Sequence, residues 1–323
     1  MNMNTNLQRP PIFIQQEQHH LREQLNLEIP KKKLDHNLII STWNLRSFGG
    51  LTEKWCAGEH DRPKRDLRSL LMIQEIIQRF DVIAIQEVKG NLKALRWLMK
   101  LLGPDWSFLM TDVTRGNKGN QERMAFVFDT RRVHLSGLAG ELVLPPETNC
   151  EEMSYTQQFA RTPYAVSFRS GQATFVLTNL HIYYGKKKTD RLSELHAIAE
   201  WVAGWAKQLD EWNHNLIVLG DFNIDRTGDP LYEAFVSTGL STPPELDQAP
   251  RTIFQTARHY DQIAWFTGNN GVPRLSLHYK QSGVFDFSKL VMQDLNTTSM
   301  SWRISDHLPV WTEFLLQPPG NSG

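Results

Sequence analysis

Two apolar tetrapeptides, Val82-Ile83-Ala84-Ile85 and Leu216-Ile217-Val218-Leu219, set the strongest limit on the fold, because neither offers a polar face. A strand of that kind must be covered on both sides, so each belongs inside a sheet with other layers above and below. Ahead of the first, Leu67, Leu70, Leu71, Ile73, Ile76 and Ile77 recur at helical spacing and predict an amphipathic helix lying on it. A second helix is expected from about Leu92 to Leu102, stopped by Gly103-Pro104, and a third from Thr189 or Asp190 through Trp205. Asp229-Pro230 reads as the cap and first turn of a short helix ended by Gly239. Further strands are expected at Leu38–Trp43, Met124–Phe128, Thr174–Leu180, Ile263–Phe266 and Val310–Phe314. This alternation indicates an α/β or α+β body, and 323 residues suffice for one large domain or two modest ones.

Residues 1–33 stand apart as an N-terminal extension, polar and rich in Gln and His with sparse Ile12, Ile14, Leu21, Leu25 and Leu27. They are expected to form a short helix or a disordered arm, closed by Pro30 and by Lys31-Lys32-Lys33 as a solvated linker. The main domain is expected over 34–318, with 319–323 as a tail. No segment has the apolar length of a secretory signal or a membrane span, and the two cysteines, Cys56 and Cys150, read as ordinary free thiols. A cytoplasmic protein is the expectation, with no membrane partner and an oligomeric state the sequence leaves open. Thirty-five basic residues balance thirty-five acidic ones. A polyanionic ligand would therefore have to be attracted locally or through a bound metal.

Asn44, Glu87, His181, and Asp221 with Asn223 all fall at or just past the ends of expected strands, where side chains can converge on one cleft. Carboxylates, amides and histidines suit phosphodiester hydrolysis, which needs a Lewis acid on the non-bridging oxygens, a base for water and support for the leaving oxygen. No Cys/His cluster points to structural zinc, and no P-loop, G-x-G-x-x-G or G-x-S-x-G occurs.

An ordered series remains: Trp43-Asn44-Leu45-Arg46, Ile85-Gln86-Glu87-Val88, Glu122, Asn179-Leu180-His181, Gly220-Asp221-Phe222-Asn223, Tyr260-Asp261-Gln262-Ile263 and Ser305-Asp306-His307-Leu308-Pro309. Singly each is a weak signal; as a set in this order it resembles the endonuclease/exonuclease/phosphatase superfamily over about Leu38 to Phe314, and most of all its DNase I-like branch. The resemblance implies a four-layer sandwich of two packed mixed β-sheets flanked by helices. It implies that Asn44 and Glu87 hold a catalytic Mg2+ (Mn2+ or Ca2+ as alternatives), with Asp306 at the same or a second metal. His307 would be the base, oriented by Asp261, and His181 would serve the leaving oxygen, oriented by Glu122. Asp221 and Asn223 would position water and phosphate, although other branches are thought to use that aspartate as the base, and the sequence leaves the choice open.

Arg46 and Lys89 match places where DNase I-like proteins carry arginines that touch a nucleic-acid backbone, and Arg161 is a further candidate phosphate contact. For each, a solvated surface charge is the competing reading. Lys186-Lys187-Lys188 could track a phosphate backbone, although such a run is more often a solvated loop. A nuclease acting on DNA, or RNA, is the expected activity; a phosphatase or phospholipase-like hydrolase and an inactive binding scaffold are the alternatives. Specificity is expected in two irregular stretches, Pro243 to Tyr260 and Gly268 to Ser301.

Overall fold

The computed structural model describes residues 9–114, 120–143, 159–208, 215–254, 257–269, 271–272 and 274–316. Cys150 and the tail 319–323 lie outside them; Cys56 is an exposed free thiol. Twelve strands are described: β1 (Asn37–Phe48), β2 (Val82–Lys89), β3 (Trp106–Met110), β4 (Glu122–Asp129), β5 (His134–Glu141), β6 (Tyr164–Ser170), β7 (Ala173–His181), β8 (Asn215–Asp221), β9 (Leu240–Ser241), β10 (Asp261–Phe266), β11 (His278–Val284) and β12 (Val310–Leu315). They form two six-stranded sheets, ordered β11-β12-β1-β2-β4-β3 and β5-β6-β7-β8-β10-β9. Each sheet is mixed, because β1 runs parallel to β2 and β7 parallel to β8 while their other neighbours are antiparallel.

Alternate residues of the apolar strands feed different cores. Ile39, Ile83 and Ile85 join Leu70, Ile73 and Ile77 of helix α2 (Leu67–Ile77) and Leu95 and Leu98 of helix α3 (Lys93–Leu102). Leu38, Ile40, Val82 and Ala84 point the other way and meet Phe168, Phe175, Ile217 and Leu219 between the sheets. Val176, Leu216 and Val218 pack outward on helix α4 (Lys188–Gln208) and helix α5 (Pro230–Val236). Three apolar seams between four layers make the sandwich that the sequence resemblance implied, and they explain why the two tetrapeptides have no polar face.

α2 falls on the expected residues, with Asp66 accepting a hydrogen bond from the Ser69 amide as its cap. Asp229 likewise accepts from the amides of Leu231 and Tyr232 at the start of α5. Of the two forms expected for residues 1–33, the described part takes the helical one: helix α1 (Ile12–Glu28) seals the outer layer with Ile14, Leu21 and Leu25. Arg22 pairs with the buried Glu75 of α2 at 2.8 Å, and Arg68 bridges Glu17 and Asp294.

Five strands escaped the sequence reading: β3, β5, β6, β9 and β11. β5 and β11 are edge strands made largely of exposed or half-buried residues, so the alternation that marks a strand is missing. β11 lies inside a stretch expected to be irregular.

Candidate active site

The sheets bring the expected residues to one seam by register. In the second sheet His181 lies opposite Asp221 across the parallel β7–β8 pair, and Asp221 lies opposite Asp261 across β8–β10. Three neighbouring strands therefore present an imidazole and two carboxylates side by side. Gly220 makes this approach possible: at φ 146°, a Cβ there would stand 2.0 Å from the Leu180 carbonyl oxygen.

From the first sheet come Asn44, Glu87 and Glu122, together with His307 from the turn before β12. β1 was expected to end at Asn44 but runs on to Phe48; its regular pairing with β2 breaks at Asn44. β2 likewise continues past Ile85 to Lys89, with a register shift between Ile85 and Val88. Within that irregularity Glu87 adopts φ 61°, uncommon for a residue with a Cβ, and its carboxylate accepts from the Ser47 amide at 2.8 Å and Asn44 Nδ2 at 3.1 Å. Gln86 points into the protein instead, and its Nε2 donates to Asn179 Oδ1 at 2.7 Å, a polar link that pins one sheet to the other beneath the site.

Asp221 is the meeting point. Its Oδ2 accepts from Asn44 Nδ2 at 3.0 Å, and lies 3.5 Å from His181 Nε2 and 3.9 Å from His307 Nε2. Its Oδ1 accepts from the Asn223 amide at 3.0 Å, and Asn223 is itself fixed at φ 52° by Nδ2 donating to the Ile182 carbonyl. Behind His307, Nδ1 lies 2.8 Å from Asp261 Oδ2. Behind His181, Nδ1 lies 3.2 Å from Glu122 Oε2, within ion-pair range but not aligned as a hydrogen bond. Lys89 Nζ and Arg161 Nε both donate to Glu122, at 2.9 and 2.8 Å. Arg46 donates to Asp306 at 3.0 Å and to Ser301 at 2.7 Å, and its guanidinium lies 4.0 Å over the Trp302 ring. Each of the three cations expected to face phosphate is thus already held by a carboxylate, although Arg161 Nη1 is buried with no partner.

Burial raises the Asp261 carboxyl above its ordinary range, more than His307 and Thr252 lower it. Burial would lower the His307 imidazole, but Asp261, Asp221 and Asp306 outweigh it and the net shift is upward. For Glu122 burial is overcome by His181, Arg161 and Lys89, which hold the carboxyl down at about 2.

Two groupings could accept a cation. Asp221, Asp261 and His307 offer ligand atoms within 4.8 Å of one another, but His307 Nδ1 already engages Asp261. At the other, Asn44 Oδ1 is buried with no partner, beside the half-exposed Glu87 carboxylate. An amide oxygen left unpaired next to a carboxylate fits a hard, oxygen-seeking cation. The Asp306 carboxylate is in contact with Arg46, and its side chain is one-third exposed.

Sequence reasoning missed Arg65, 2% exposed, which donates to the carbonyls of Arg46, Ser47, Arg303 and Ile304 and so ties the irregular end of β1 to the turn before Asp306. It sits in Arg62-Pro63-Lys64-Arg65, where nothing marks it out from its basic neighbours. Ser305, quoted only as part of a motif, donates to the Asn44 carbonyl at 2.6 Å and accepts from the His307 amide at 3.0 Å.

Among known proteins, a deoxyribonuclease from Thioalkalivibrio sp. (strain K90mix) is 26% identical over 291 residues, 86% of this chain and 71% of the relative. Solved structures that share the fold include a mannosyl-6-phosphatase from Bacteroides thetaiotaomicron (20% identity, TM-score 0.55, 86% of this chain and 99% of that one) and D. rerio TDP2 complexed with single-strand DNA product (15%, TM-score 0.54, 86% and 98%). No described helix is long and apolar enough to cross a membrane. The model of the Endonuclease/Exonuclease/phosphatase family matches residues 41–307, and the chain belongs to that family as a hydrolase of phosphoester bonds.

Proposed function

We propose that the protein is a magnesium-dependent nuclease that cleaves phosphodiesters of DNA, or RNA, by attack of water on phosphorus. The observation that carries this reading is the convergence of Asn44, His181 and His307 on one oxygen of Asp221, with the cations Lys89 and Arg161 gathered on the Glu122 side. The deoxyribonuclease likeness favours a nucleic acid over the sugar phosphate of the Bacteroides neighbour.

Asn44 Oδ1 and Glu87 would hold Mg2+, with Asp306 a further ligand once Arg46 turns to substrate. When bound, the cation supplies a Lewis acid for the non-bridging oxygens. His307, with Nδ1 fixed by Asp261, presents Nε2 as the base for water. His181, backed by Glu122, donates a proton to the leaving oxygen through Nε2. Asp221, between the two imidazoles, and Asn223 orient water and phosphate. Arg46, Lys89 and Arg161 bind neighbouring phosphates; the unpaired Nη1 of Arg161 is a donor ready for one.

The test is a substrate panel with Mg2+ or EDTA: plasmid, single-stranded DNA, RNA, an abasic duplex, inositol phosphates, mannose 6-phosphate and sphingomyelin. The expected result is cleavage of a nucleic acid that EDTA and Glu87→Ala both abolish. Turnover of a phosphomonoester with nucleic acids left intact would overturn the reading.

A further inference from the structure

The chain has no net charge, yet one flank of the site is strongly cationic. Lys186, Lys187, Arg226 and Arg258 lie in three loops and Lys188 and Arg191 in the first turn of α4; three carboxylates stand among them, Asp190 accepting from the backbone amides of Lys186 and Lys187, and Asp225 and Asp229 pairing with Lys188. Lys188, Arg191 and Arg258 crowd Asp225 at 3.2, 3.5 and 3.4 Å, and its Oδ1 has no aligned donor. Lys186, Lys187 and Arg226 are exposed.

Aromatic rings run through the same flank. Tyr260 lies 6.1 Å from the His307 ring, and Tyr184 lies 6.1 Å from Tyr260, so a ladder leads outward from the proposed base. Arg258 donates to both tyrosine hydroxyls, and Arg191 lies 4.6 Å from the Tyr184 ring centre. Although held on those sides, Tyr184 is 49% exposed. A ring fixed by two arginines with half its surface open to solvent, beside further exposed cations, has the geometry of a stacking platform on a phosphate-binding groove.

We infer that this flank is a subsite for an unpaired nucleic-acid strand adjoining the scissile phosphate, with a base stacked on Tyr184 and its backbone phosphates on Lys186, Lys187 and Arg258. The inference rests on the nuclease reading and narrows its substrate class. Rings alternating with cations are how single strands are gripped without sequence readout, and a base inside a duplex has both faces already covered.

A labelled 12-nucleotide strand with phosphorothioate linkages, free or annealed to its complement, is titrated with the magnesium-loaded protein by fluorescence anisotropy. Tyr184→Ala is expected to weaken binding of the free strand about tenfold and of the duplex less than twofold. Lys186→Ala/Lys187→Ala is expected to flatten the dependence of log Kd on log salt by about 1.4, at about 0.7 per lost phosphate contact. The melting temperature of each exposed-residue variant serves as the folding control. Free-strand affinity unchanged in Tyr184→Ala, or an equal loss for strand and duplex, overturns the subsite. If the wild type cuts nucleic acid normally in that case, only the subsite falls; if it cuts none, the nuclease reading falls first.

Discussion

His307 and His181 each bring Nε2 to Asp221 and rest Nδ1 near a carboxylate, but the two carboxylates have opposite surroundings. Among the described residues Asp261 pairs with no lysine or arginine, only with the His307 imidazole; it leaves Oδ1 buried without a partner, and is shifted upward by burial. Glu122 is equally buried but shared among His181, Lys89, Arg161 and Asn120, and is held low despite that burial. The Asp261 charge therefore acts on one imidazole, which is raised in turn, whereas the Glu122 charge is already offset by two permanent cations. Environments that separate two similar pairs are how one site divides base from acid.

That asymmetry predicts unequal losses. His307→Ala should lower kcat by about 10³–10⁴, the upper part of the range for a general base, and His181→Ala by about 10²–10³. Steady-state rates on the best substrate of the panel, at saturating Mg2+, measure both. Equal losses, or the larger one at His181, would break the division of roles.

The carboxylates sharpen the contrast further. Asp261→Asn should cost about 10²-fold in kcat by releasing the His307 tautomer. Glu122→Gln should cost about tenfold, because Lys89 and Arg161 remain on the phosphate side. Stability should follow the reverse order. Neutralising Asp261 removes a poorly satisfied buried charge and should leave the urea midpoint near the wild-type value or above it. Neutralising Glu122 strands two cations that are only 24% and 10% exposed, and should cost ~3 kcal/mol. Equal destabilisation in both variants would mean that the two environments do not differ as described.

Legibility in the sequence divides along a similar line. The middles of β2 and β8 are the two apolar tetrapeptides, so these strands could be read from burial logic alone, and the polar residues of the site stand just past those tetrapeptides. Those residues stand out as an ordered set of short motifs, and the seam brings Asn44, Glu87, Glu122, His181, Asp221, Asp261 and His307 into contact with one another. Edge strands such as β5 lack that pattern because one margin of the strand has no neighbour and most of its side chains meet water. The partners of each charge were not legible either. That Lys89 and Arg161 would meet at Glu122, or that Arg65 would collect four carbonyls from the end of β1 and a turn far along the chain, depends on register and loop shape. So does the Tyr184–Tyr260 ladder, whose members stand 76 positions apart in the chain and lie in different loops.

Acid titration probes the comparison at its smallest scale. The Glu122 carboxyl lies lower in the folded chain, at about 2, than its ordinary 4.5. A lowered pKa contributes stability that is fully present above the unfolded value and fades as pH falls through the folded one. The wild type should therefore exceed Glu122→Gln by a constant margin above about pH 5, and the margin should shrink steadily between 4.5 and about 2. At most ~3.5 kcal/mol can be lost over that window, since each tenfold change in proton affinity is worth ~1.4 kcal/mol. Asp261 is shifted the other way, so its own contribution is present below its ordinary 3.8 and is lost as pH rises through about 6; the wild type should therefore climb towards Asp261→Asn from below as pH falls from about 6 to 3.8, with no further change between 3.8 and about 2. Urea midpoints at half-unit pH steps resolve the two patterns. A Glu122→Gln margin that stays flat down to pH 2 would show that Lys89 and Arg161 do not hold the carboxylate charged, and the electrostatic difference between the two histidine pairs would disappear with it.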